Sequence, residues 1–241
     1  MDTDRKIHWP QIAVEGVAII ASILLAFWID AWWEDRQNRN EEQQVLHGLQ
    51  EEFTNIRGVL KRDLTDHLQD LQSLERFLIA TGNSPLDVPG TAVDAVLMEM
   101  LNPGTTDLGN GALNALLSSG RVELLTNRNL RASLAAWEGV MDEVRDDQSN
   151  NSRMVYEQFI PYIVRNGISV NAAMSNWYEA WPIPSSALSD DSEAIAELLE
   201  DSEFRVLAEL RHGYKRHLTG EFEAAIAAAE EILSEIEISL N

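Results

Sequence analysis

The sequence predicts an all-α protein in which one N-terminal transmembrane helix continues into a long-helix, coiled-coil-like soluble bundle. Three observations carry this. An apolar run at 12–33 is flanked by tryptophans. Two long stretches, about 34–80 and 192–240, repeat apolar residues every three or four positions. No segment alternates apolar and polar residues as a half-buried strand would. The expected organisation is a short tail at 1–11, a transmembrane helix at 12–33 and an acidic helical soluble domain at 34–241, with shorter helices between the two long ones.

Residues 12–33 read IAVEGVAIIASILLAFWIDAWW, and Gly16 to Ile29 carries no charge. Counted from Ile12, about 18 residues at about 1.5 Å each reach roughly 27 Å, enough to cross a hydrocarbon core. Trp9 marks one interface and Trp28, Trp32 and Trp33 the other, because indole rings settle at the headgroup level. Pro10 suits a first helical turn. A cleaved signal peptide is the main competitor. Cleavage needs small residues, whereas this run ends in Phe27, Trp28, Ile29, Asp30, Ala31, Trp32 and Trp33. A buried core helix is the other alternative.

Orientation is close to balanced, with Arg5 and Lys6 before the run and Arg36 and Arg39 after it. The tail holds little that could act in the cytoplasm. The expected arrangement is a bacterial inner-membrane protein with its N-terminus inside and its domain in the periplasm.

One face of the anchor differs from the rest. At about 100° per residue, Glu15, Ala18, Ser22, Ala26 and Asp30 fall within an arc of roughly 120°. Ile19, Ile20, Ile23, Leu24 and Phe27 lie opposite. Small residues at four-residue spacing let helices approach closely in lipid, where packing drives association. Glu15 sits about one turn inside the span. It either snorkels near the helix N-terminus, meets another transmembrane helix or lines an ion pathway.

Lys and Arg number 18 and Asp and Glu 40, for a net charge of -22. Residues 1–33 hold two basic side chains (Arg5, Lys6) and four acidic ones (Asp2, Asp4, Glu15, Asp30), so -20 remains on the soluble part. That excess argues against nucleic acid, whose binding rests on cations neutralising phosphates, and against an anionic lipid surface. Cysteine is absent, which excludes disulfides, thiolate metal sites and Cys nucleophiles.

The first long stripe is Leu46, Leu49, Phe53, Ile56, Leu60, Leu64, Leu68, Leu71, Leu74 and Leu78. Uninterrupted from the membrane, this helix would run about 70 residues, or about 105 Å, and a stalk of that length needs a partner helix. Residues 81–90 and 102–111 are loops of helix breakers, with a short helix at 91–101 between them. A second short helix at 112–119 ends at Gly120. Asn127 is an N-cap for a helix from about Arg128 to Asp147, buried through Leu130, Leu134, Trp137, Val140, Met141 and Val144. It continues, bent, toward Gly167. From Ser192 to Ser239 one helix carries Ile195, Leu199, Leu207, Leu210, Tyr214, Leu218, Phe222, Ile226, Ala229, Leu233, Ile236 and Leu240 on its stripe. The two long helices are expected to pack antiparallel.

The stretch EGVAIIASILLAFWIDAWWEDR resembles the anchor of a family of uncharacterised bacterial single-span membrane proteins, a domain of unknown function. The matching positions are Glu15, Ala26, Asp30, Trp32 or Trp33, and Glu34. Residues 112–137, ALNALLSSGRVELLTNRNLRASLAAW, are similar to a second stretch of that family at Ser119, Gly120, Leu125, Asn127, Leu130 and Arg131. Together the two cover about a fifth of the chain. The resemblance implies a single-span anchor and a mostly helical domain, and it implies no catalytic residues.

Motifs for chemistry are sparse. There is no GxxxxGK[ST] and no HExxH, and the GNG at 109–111 lacks the rest of a dinucleotide fingerprint. A di-iron bundle needs two Glu-x-x-His pairs, and only Glu209 and His212 have that spacing. Asp63, His67 and Asp70 share a helix face and are either a metal set of mixed N/O ligands or a solvated face. His212, Lys215, Arg216 and His217 either pair with acids of a neighbouring helix or hold an anion. Trp177, Tyr178 and Trp181, beside Pro182 and Pro184, form a loop that plugs the bundle end, meets a partner or stacks a ligand. Ser118 and Ser119 are expected to cap a helix end.

No catalytic residue, metal or cofactor is therefore expected. The expected function is non-enzymatic: a single-pass membrane-anchored helical protein acting by association, as a homo-oligomer or as an accessory or scaffold subunit of a larger membrane complex. Its partners would be the lipid bilayer and either itself or another membrane protein. The alternative is an extracytoplasmic, sensor-like ligand-binding bundle that needs a partner for output.

Overall fold

A computed structural model describes residues 9–83, 90–106, 108–109, 111–168 and 192–241, with the side chains of the first helix described from Ile19 onward. The described residues contain no strand, and the chain is all-α. The helices are α1 (Trp9–Asn83), α2 (Gly90–Leu101), α3 (Gly111–Ser118), α4 (Arg128–Arg153), α5 (Ile160–Arg165), α6 (Ser192–Glu200) and α7 (Ser202–Leu240). A 3-10 turn, Arg121–Leu124, precedes α4, and a π turn, Met154–Phe159, joins α4 to α5.

α1 is one unbroken helix of 75 residues, about 110 Å long at 1.5 Å per residue. Its C-terminal two-thirds packs against α7, which runs the opposite way. Lys61 meets Glu230, Glu75 meets His212, and Phe77 stacks edge-on to Phe204. α4 is also antiparallel to α7, through Ser133 with Glu231 and Asn151 with Tyr214. The partner that so long a helix needs is thus supplied by the same chain. α7 returns the C-terminus to the level of Thr126 and Glu42, where Asn127 Nδ2 donates to Ser239 Oγ.

Two hydrophobic cores lie along this three-helix frame. The first joins Leu46, Leu49, Phe53, Ile56 and Leu60 of α1 to Leu130, Leu134, Trp137 and Val144 of α4 and to Leu218, Phe222, Ala229 and Ile236 of α7. The second joins Leu74 and Phe77 to Val93, Leu97 and Met100 of α2, to Phe159 and Tyr162, and to Leu199, Phe204 and Leu207. Between them the apolar stripes lapse. α1 passes from Leu60 to Leu71, α4 from Val144 to Met154 and α7 from Ala208 to Leu218 without a buried aliphatic or aromatic side chain.

Three sequence expectations change here. Leu68 is exposed and His67 takes the inward position on α1. On α7, Leu210 and Tyr214 face outward, while Arg211 and Lys215 are fully buried. The last helix is not continuous from Ser192, because it breaks at Asp201. There the backbone is extended (φ -72, ψ 114) and the carboxylate accepts from Glu203 N–H as the N-cap of α7. The bend expected after α4 is present and takes the form of a π turn just before Pro161, a residue with no N–H to give to the Glu157 carbonyl.

Among the described residues no helix is long and apolar enough to cross a membrane. The described apolar stretch, Ile19 to Ile29, covers about 16 Å before Asp30, Glu34, Asp35 and Arg36 interrupt it. The first part of the run expected at 12–33 belongs to α1 by its backbone. Its side chains, with those of Trp9, Glu15 and Ala18, lie outside the described residues.

Candidate functional site

Among the described residues, three regions carry features beyond packing. The first is the projecting end of α1. Every residue from Ile19 to Asn40 is exposed, and the bundle closes only at Glu42 and Leu46. Ten large apolar side chains stand out here, among them Phe27 and Trp28 at 66% exposure, Trp33 at 64% and Ile19 at 61%. Ser22, Ala26 and Asp30 are exposed on the same helix, as are Trp32 and Trp33. Arg36 lies over the Trp32 ring at 5.9 Å.

The base of this projection is tied down by carboxylates that cap backbone amides. Glu42 accepts from Thr126 N–H at 2.6 Å and from the Thr126 hydroxyl at 2.8 Å. Glu52 accepts from Ala112 and Leu113 N–H at 2.8 Å each, satisfying the open N-terminus of α3. Asn127 N-caps α4 through Asn129 and Leu130 N–H, as its sequence position predicts. Its amide also reaches Glu235 Oε2 at 2.8 Å. The stretch 112–137 is therefore the corner that carries the chain from α3 into α4. Gly120 is left-handed there (φ 70), Leu125 and Leu130 are fully buried, and Ser118 and Ser119 bond the last carbonyls of α3.

The second region is the polar layer between the two cores. Arg211 donates to Asn151 Oδ1 at 2.7 Å and to the Asn102 carbonyl. Lys215 donates to Asp70. Asp63 accepts from the Thr106 hydroxyl at 2.7 Å. The His67 ring lies against Phe222, 5.2 Å between centroids. Gly104, left-handed at φ 63, fits under that ring where a Cβ would collide with it. Among the described residues, His67 Nδ1, Glu99 Oε2 and Arg211 Nε find no hydrogen-bond partner.

Burial sets the protonation of this layer. It pushes the His67 imidazole down to about 4, and the nearby Lys215 cation adds to the effect. It pushes the Glu99 carboxyl up to about 7, against a hydrogen bond from Ser73. It lowers Arg211 to about 10 and lowers Lys215 as well, the latter opposed by Asp70. At neutral pH the layer thus holds a neutral imidazole, a carboxyl near its midpoint and an Arg cation.

The third region is on the surface, where α4 meets α7. His217 pairs with Asp147, and Glu221 lies one turn further along α7. A groove of about 450 Å³ opens beside them, lined by Asn150, Glu209, Leu210, Gly213 and Tyr214 as well as by Asp147 and His217.

Three of the four residues of the predicted basic cluster pair with acids of neighbouring helices, as one reading of the sequence anticipates: His212 with Glu75 at 3.1 Å, Lys215 with Asp70 and His217 with Asp147. The trio Asp63, His67 and Asp70 is not a solvated face: His67 is buried against Phe222, Asp63 accepts from Thr106 and Asp70 from Lys215. Glu209 is held by Arg205 at 3.1 Å and His212 meets Glu75 at 3.1 Å, so each side chain of the Glu-x-x-His spacing has a different partner. Trp177, Tyr178 and Trp181 lie outside the described residues. Sequence reasoning missed Arg211, Glu99 and Asn151. Arg211 and Glu99 are charged residues, which the α7 and α2 patterns alone assign to the outside.

The class defined by these features is an all-α protein built on two antiparallel long helices with a third beside them, one of which projects an apolar end. The chain matches no protein-family model, and no curated protein or solved structure matches it.

Proposed function

We propose that the protein is a non-enzymatic, single-pass membrane-anchored helical protein that acts by association, as a homo-oligomer or as an accessory subunit of a membrane complex. The observation that carries this reading is the exposed apolar end of α1. A monomer in water rarely exposes a contiguous apolar patch beyond a few hundred Å², and here ten large apolar side chains are exposed between Ile19 and Trp33. In lipid the same surface is satisfied, and the uncharged run from Gly16 to Ile29 extends it. The small-residue face, Ala18, Ser22 and Ala26, between Glu15 and Asp30, is where a second transmembrane helix packs. Trp9 at one end and Trp28, Trp32 and Trp33 at the other mark the interfaces, and the acidic domain stands on the periplasmic side.

A native pull-down from bacterial membranes tests this, with the full chain compared against Ser22→Leu and Glu15→Ala. The full chain is expected in the alkaline-resistant membrane fraction, in a complex that the variants weaken. A full chain that is extracted by alkali, or one that is monomeric in mild detergent and brings nothing with it, overturns the proposal. Fusing alkaline phosphatase to the C-terminus reads the orientation, with an active enzyme expected.

A further inference from the structure

α4 and α7 hold three metal-competent side chains in register across their seam. His217 and Glu221 are four residues apart on α7, so they share one face, and Asp147 faces them from α4. One ligand atom from each residue lies within 4.8 Å of the other two. Around a bound zinc-class ion, N and O ligands at about 2.0–2.2 Å sit roughly 3–3.5 Å from each other. Reaching that spacing asks about 1 Å of movement from side-chain ends. His217 is exposed and the two carboxylates are part-exposed, so their rotamers have room. The backbones behind them are held by the buried residues Val144, Leu218 and Phe222.

We propose that Asp147, His217 and Glu221 form a divalent-metal site of the zinc class on the α4–α7 seam. An imidazole with two carboxylates favours a borderline transition ion over calcium or magnesium, which prefer all-oxygen sets. Two carboxylates neutralise a divalent charge. Three protein ligands leave further positions open. The groove lined by Asn150, Glu209 and Tyr214 also takes in Asp147 and His217, and it gives water or an added ligand space to complete the shell. The site does not depend on the membrane reading, since it lies wholly in the bundle.

The probe is Co²⁺, titrated into full-length protein in detergent, with no polyhistidine tag and after stripping with a chelator. The expected result is a visible d–d absorption that saturates at one ion per chain and is bleached by added Zn²⁺. His217→Ala and Glu221→Gln are expected to weaken binding by about ten-fold or more. His47→Ala, an exposed histidine on α1, leaves it unchanged. Circular dichroism checks that all three variants keep their helicity. No visible band, or a band equally strong in His217→Ala, overturns the proposal and leaves Asp147 and His217 as a simple surface ion pair.

Discussion

Lys215 of α7 has no exposed surface, and its ammonium donates to Asp70 of α1 in the layer between the two hydrophobic cores. One turn away, Arg211 spends its guanidinium on Asn151 of α4 and on the Asn102 carbonyl. Long apolar stripes can slide past one another at little cost. A buried cation cannot, because any other register strands it without its partner. The layer therefore fixes the level at which α1, α4 and α7 meet.

Breaking this pair from one side is expected to destabilise strongly. Lys215→Ala removes the ammonium, opens a cavity and leaves Asp70 half-buried beside Arg211 alone. The expected loss is about 3 kcal/mol in denaturant unfolding. Replacing both members by apolar side chains, Lys215→Met with Asp70→Leu, is expected to recover part of that loss, since neither charge of the pair is then stranded, while Arg211 keeps Asn151 and the Asn102 carbonyl but loses the nearby Asp70 anion. A double variant as unstable as the single one would remove the pairing argument.

The pH dependence of the layer has two opposing parts. The Glu99 carboxyl stands at about 7 in the fold against an ordinary 4.5. Its contribution is whole below 4.5 and is lost as pH rises through 7, because the fold keeps a proton that the unfolded chain releases. The His67 imidazole stands at about 4 against 6.5. Its contribution is whole above 6.5 and is lost as pH falls through 4. Asp70, Lys215 and Arg76 face Glu99, and Lys215, Asp70, Arg211 and Asp63 face His67.

Between about 4.5 and 6.5 the two parts cancel. Glu99→Gln removes the first, so its stability relative to the native chain is expected to rise across that window, by up to about 3 kcal/mol. Urea unfolding at three pH values in the window measures this. An unchanged difference across the window would show that Glu99 does not titrate there.

Asn127 joins two elements with one side chain. Its carbonyl oxygen caps α4, and its amide ties that cap to Glu235 and Ser239 near the end of α7. Asn127→Ala is expected to cost about 1–2 kcal/mol. Asn127→Asp keeps the capping oxygen but places a carboxylate against Glu235, so it should remain destabilised at neutral pH. Full stability of that variant would show that the cap alone matters and the tie to α7 contributes nothing.

The all-α class, the α2 and α3 boundaries, the Asn127 cap and the buried face of α4 are legible in the chain, because each depends on residues within a few turns of one another. Local pattern also locates the apolar run at 12–33, whose uncharged length is a property of consecutive residues. What it could not give is the polar layer. Leu68, Leu210 and Tyr214 continue their apolar stripes yet face outward, while His67, Arg211 and Lys215 turn in. Burying a cation is favourable only when a specific acceptor waits on another helix, here Asp70 on α1 and Asn151 on α4. Those acceptors are 145 and 60 residues away in the chain. The same holds for Asp147 and His217, 70 residues apart. Periodicity carries no information across such separations, so only the packing of α1, α4 and α7 decides which charges are brought together.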